Sequence, residues 1–108
     1  MSGSTAPVFD PAALRRRTSG DPALQVEILA LFTAEADRLL SEIESARDPQ
    51  IRCDRVRAMR MLARNTGAMR LAEVAGALEP ASAAGAPDLR PLREAVAEVI
   101  AYIQATGG

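Results

Sequence analysis

Apolar residues recur at three- and four-residue intervals along most of the chain, with Asp-Pro and glycine steps between the runs. That period places side chains on one face of an α-helix, and no stretch shows the strict alternation of a strand. Asp10-Pro11 predicts a helix start, because aspartate caps free backbone N–H groups and proline suits the first helical position. A short helix follows to about Arg17, and Thr18-Ser19-Gly20 stops it. Asp21-Pro22 repeats the signal and opens the longest helix, from Pro22 to about Ala46. Its apolar stripe is read as Leu24, Ile28, Leu31, Phe32, Leu39, Leu40 and Ile43, and Glu27, Glu35, Asp37, Glu42 and Glu44 cover most of the rest. Asp48-Pro49 starts a third helix to about Arg64, with Val56, Met59, Leu62 and Ala63 on one face. Gly67 suits the left-handed position that closes it.

A fourth helix begins near Ala68, where Leu71, Val74, Ala75 and Leu78 keep the i, i+3, i+4, i+7 spacing. Pro80 is expected to end or kink it, since proline removes a helical hydrogen bond and crowds the preceding turn. Ala81 to Pro87 reads as a loop. The last helix runs from about Asp88 to Ala105 and buries Leu92, Val96, Val99, Ile100 and Ile103. The expected fold is all-α: an antiparallel up-down four-helix bundle with a short extra N-terminal helix. Residues 1–8 are read as a flexible leader, 9–105 as the bundle and 106–108 as a disordered tail.

Composition narrows the function classes. The chain of 108 residues is 48% hydrophobic and 25% charged, ordinary for one globular domain. Aromatics are only 3%, so the core must be aliphatic. The net charge of −1 argues against a general nucleic-acid binder. No run of 18 apolar residues predicts a membrane span, and the first residues lack the features of a secretory signal, so the default expectation is the cytoplasm. Cys53 is the one cysteine and has no metal-ligand spacing around it. With no histidine, no glycine-rich phosphate loop and no ligand cluster, neither an enzyme nor a cofactor is expected.

The order of these segments resembles the histidine-containing phosphotransfer (HPt) domains of bacterial phosphorelays, over Phe9 to about Ile103. Phe9-Asp10-Pro11-Ala12-Ala13-Leu14, then Gly20-Asp21-Pro22 leading to Leu31-Phe32, is similar to the family's first two helices. Arg64-Asn65-Thr66-Gly67-Ala68, followed by Arg70-Leu71-Ala72 and Leu78-Glu79, is similar to the end of its active helix and the start of the next. The family motif is a histidine, a lysine three residues on, a glycine beside that lysine, and Gly-Ala starting ten residues after the histidine. Anchored on Gly67-Ala68, the histidine position falls at Arg57, the lysine position at Arg60 and the glycine position at Met61. A guanidinium stays protonated and only donates hydrogen bonds, so Arg57 cannot serve as a phosphate-accepting nucleophile. Met61 fills space that the family keeps open for an approaching receiver domain.

On a wheel of 100° per residue, Arg57, Arg60 and Arg64 fall within about 60° of one another, with Cys53 in the same arc and Met61 beside it. Arg47 to Arg70 holds seven arginines against Asp48 and Asp54. A basic strip of this kind is ordinarily a solvated helix face. On the HPt frame it implies a docking surface made by Arg57, Arg60, Met61, Arg64 and Cys53, whose partner is a response-regulator receiver domain or a histidine kinase. The expectation is a monomeric signalling module that binds without exchanging phosphate. The alternatives are a phosphotransfer protein that has lost its histidine and a structural bundle that dimerises.

Overall fold

The computed structural model describes residues 5–85 and 87–106. Five helices make up the fold: α1 (Pro11–Thr18), α2 (Pro22–Ser45), α3 (Pro49–Thr66), α4 (Met69–Ala84) and α5 (Arg90–Ala105). There is no strand among the described residues. The expected leader and tail fall partly on residues 1–4 and 107–108, which lie outside the described residues.

All three Asp-Pro steps start helices. The Asp10 carboxylate accepts from the Ala12 N–H at 3.0 Å, Asp21 from Ala23 at 3.0 Å and Asp48 from Gln50 at 2.8 Å. Each satisfies a donor that the first helical turn leaves free, and each proline occupies a site needing no donor. At the other ends, Ser19 adopts φ 52° after α1 and Gly67 adopts φ 115° after α3. The Gly67 N–H donates to the Ala63 carbonyl at 2.9 Å, closing α3 as its sequence implies.

The boundaries differ in three places. α3 continues past Arg64 to Thr66, whose hydroxyl donates back to the Leu62 carbonyl at 3.0 Å. α4 passes through Pro80 and ends only at Ala84. Proline removes one donor, and the face beyond it is still held by packing: Ser82, two residues on, is fully buried. α5 starts at Arg90 rather than Asp88, whose carboxylate instead accepts from the Arg90 N–H at 3.0 Å.

α3 packs most extensively on α4, and also on α2; α5 packs on both α4 and α2; α1 lies against α2 and α3. The core between them is aliphatic apart from Phe9 and Phe32. It includes Leu39, Ile43, Val56, Met59, Leu71, Leu92, Val96 and Val99. Phe9 also stacks on Tyr102 with ring centroids 5.4 Å apart, joining the chain ahead of α1 to α5. The stripe of α2 is corrected: Leu29, Phe32, Ala36, Leu39 and Ile43 are buried, whereas Leu24 is exposed and Leu31 is 65% exposed. Leu31 precedes Phe32 by one residue, about 100° round the helix, which turns it off the buried arc.

Candidate functional site

The candidate site is one flank of α3 and the part of α4 that faces it. Helical spacing brings Arg57, Arg60 and Arg64 to this flank, since residues three and four apart are neighbours on a helix surface. They differ in exposure. Arg57 is 51% exposed, Arg64 is exposed, and Arg60 is half-buried with 27% of its side chain accessible. Arg60 therefore lies at the edge of the core and outside the open strip.

Glu79, on α4, organises the flank. Its carboxylate forms an ion pair with the Arg60 Nε, and its other oxygen stands 3.5 Å from the Arg57 Nε. Glu79 is itself only 18% exposed. Gly76, one turn earlier on α4, opens the route: a Cβ there would stand 3.2 Å from the Arg60 Cδ. The absence of a side chain lets the Arg60 stem lie against α4 and reach Glu79. Arg57 is held more loosely. Its other contacts are an Asp54 oxygen 3.6 Å from Nη1 and the Cys53 Sγ, to which Nη2 donates at 4.0 Å, and all three lie at the long limit of a hydrogen bond.

The other positions separate. Met61 is exposed, one turn from Arg57 on the same helix. Cys53 is 6% exposed, and its thiol donates to the Glu79 carbonyl oxygen at 3.6 Å. It braces α3 against α4 from inside, so its sulfur lies beneath the exposed flank. Arg64 has no ion-pair partner among the described residues.

The positive excess between Arg47 and Arg70 is largely compensated across the fold. Arg55 pairs with Glu42 at 2.9 Å, Arg70 with Glu98 at 2.8 Å, and Arg60 with Glu79. Arg52 is spent on backbone: it donates to the Ala46 and Gly85 carbonyls, each at 2.6 Å, at the ends of α2 and α4. Counting charges along the sequence missed Glu79, Glu42 and Glu98, because all three arrive from other helices.

On the α2 side of α3, Ile28, Leu31, Phe32 and Leu62 line a groove of about 290 Å³, together with Arg17, Glu35 and Thr66. Among the described residues no group of three or more Cys, Asp or Glu side chains is placed to hold a metal ion. No described helix is long and apolar enough to cross a membrane. Comparison with known proteins finds no matching family model, no matching curated protein and no matching solved structure.

Proposed function

We propose that this is an HPt-like module of two-component signalling that docks a response-regulator receiver domain or a histidine kinase and transfers no phosphate. The observation that carries the reading is the place of Arg57. A permanently cationic side chain stands half-exposed in the middle of α3, ten residues before the Gly67-Ala68 pair, at the position the family motif assigns to its histidine. Short connections between consecutive packed helices support an antiparallel up-down bundle, the architecture of that family. The chain offers no imidazole, so the module acts by occupancy, as a decoy, scaffold or brake in the cytoplasm.

Docking calls for cations to meet the carboxylate-rich pocket of a receiver and an apolar centre to exclude water. Arg57 and Arg64 supply the first and Met61 the second. The test is capture from host lysate with the wild type against Arg57→Glu/Arg64→Glu, which spares the half-buried Arg60. Recovery of receiver domains or histidine kinases by the wild type alone supports the reading. Equal recovery by both proteins overturns it.

A further inference from the structure

We infer that Arg57 and Arg60 form a binding site for a phosphoryl group carried on a partner protein, and that Glu79 closes this site in the free domain. The inference rests on the docking reading of this face and assigns the chemistry that the face recognises.

Glu79 demonstrates that an oxyanion fits here. One of its oxygens lies against the Arg60 Nε and the other against the Arg57 Nε. The two guanidiniums thus converge on a single carboxylate. The two contacts are unequal: Arg60 makes a hydrogen bond, whereas Arg57 stands at 3.5 Å from Glu79 and 3.6 Å from Asp54. Arg57 is therefore the first arm to turn outward, and Arg60 holds Glu79 until a more highly charged anion displaces it.

A ligand must outcompete a carboxylate already tethered beside the arginines. A free monocarboxylate carries the same charge and lacks the tether, so it loses to the high effective concentration of Glu79. A phosphoryl dianion offers more charge and three acceptor oxygens, which suits paired guanidiniums. Met61 is exposed one turn beyond Arg57, so an organic carrier of the phosphoryl group gains apolar contact that inorganic phosphate cannot. Arg64, also exposed and without an ion-pair partner among the described residues, adds field from the next turn.

The experiment follows the side-chain Nε–Hε signals of Arg57 and Arg60 by nuclear magnetic resonance at low salt and pH 7.5. The probes are phenyl phosphate, inorganic phosphate and benzoate. Phenyl phosphate should shift both arginines and bind more tightly than the other two. Glu79→Gln should tighten it by about three- to tenfold, because the internal competitor loses its charge. Asp54→Asn, a surface change, should tighten it by a smaller factor, and Arg57→Ala should abolish it. Unchanged affinity in both Glu79→Gln and Asp54→Asn, or wild-type affinity in Arg57→Ala, overturns the proposal. Equal binding of phenyl and inorganic phosphate overturns the partner-borne assignment. If receiver capture still depends on Arg57 and Arg64 while phenyl phosphate ignores them, the phosphoryl assignment fails alone. Loss of both dependences removes the docking reading with it.

Discussion

Gly67 and Asp10 meet backbone to backbone: the Asp10 N–H donates to the Gly67 carbonyl at 2.8 Å, and a Cβ on Gly67 would stand 2.8 Å from the Asp10 carbonyl oxygen. Any side chain there faces two penalties, the left-handed φ of 115° and a collision with rigid backbone. Gly67→Ala should destabilise the domain by about 2–4 kcal/mol, measured by urea unfolding. A loss below half of that range would mean that α1 moves aside cheaply.

Arg52 ties the ends of α2 and α4 through two carbonyls, which lack helical donors at those positions. Its planar fork reaches both at once, and an ammonium group cannot reproduce that geometry. Arg52→Lys should cost about 1–2 kcal/mol in denaturant unfolding, and Arg52→Ala about 1–3 kcal/mol. Equal stability of all three proteins would show that water satisfies these carbonyls as well.

Ser82 is fully buried and its hydroxyl has no hydrogen-bond partner among the described residues. A buried donor without an acceptor is costly, and alanine favours helix more than serine does. Ser82→Ala should therefore raise stability by about 1 kcal/mol, seen as a higher melting temperature. A lower melting temperature would reveal an acceptor for that hydroxyl.

In the core, Leu71 is 1% exposed where α4 enters the bundle. Leu71→Ala should cost about 2–5 kcal/mol, and Val99→Ala on α5 less, because fewer methyl groups leave and the cavity is smaller. Chemical denaturation at one temperature reads both. A Val99 loss exceeding that of Leu71 would contradict the ordering.

Stability against pH should be flat between about pH 5 and 8, since no histidine titrates there. The Arg38 guanidinium hydrogen-bonded to Glu35 holds its carboxyl below the usual carboxylate range, and Arg90 does the same for Asp88. A carboxyl whose folded value is depressed adds stability above its unfolded value. That stability is lost as pH falls through the folded value. The melting temperature should therefore drop below about pH 4. The drop should be shallower in Arg38→Ala and in high salt, because these pairs lie at the surface.

Much of the fold was legible because its punctuation is local. Asp10, Asp21, Asp48 and Gly67 act within a few residues of themselves, and all four cap as their sequence implies. The errors arose where tertiary packing outweighed local preference. α4 runs on through Pro80 because the face carrying Ser82 is buried, and Leu31 is exposed because periodicity alone does not fix the edge of a stripe. At the candidate site, the positions of Arg57, Arg64 and Met61 on the surface followed from helical spacing. Glu79 did not, since nothing nearby in sequence says that a residue 19 positions beyond Arg60 will neutralise it.

The segment ahead of α1 is tied to α4 by Arg70, whose side chain donates to the Ala6 carbonyl and whose backbone N–H donates to Pro7, each at 3.0 Å. A tag or dye joined upstream of Ala6 therefore emerges beside the junction of α3 and α4. By helical rise, Arg57 lies about 15 Å further along α3 from Gly67. Cargo fused after α5 emerges at the same end, because Tyr102 stacks on Phe9 and Glu98 pairs with Arg70, so a label at either end of the fold stands near the close of α3 and well away from Arg57.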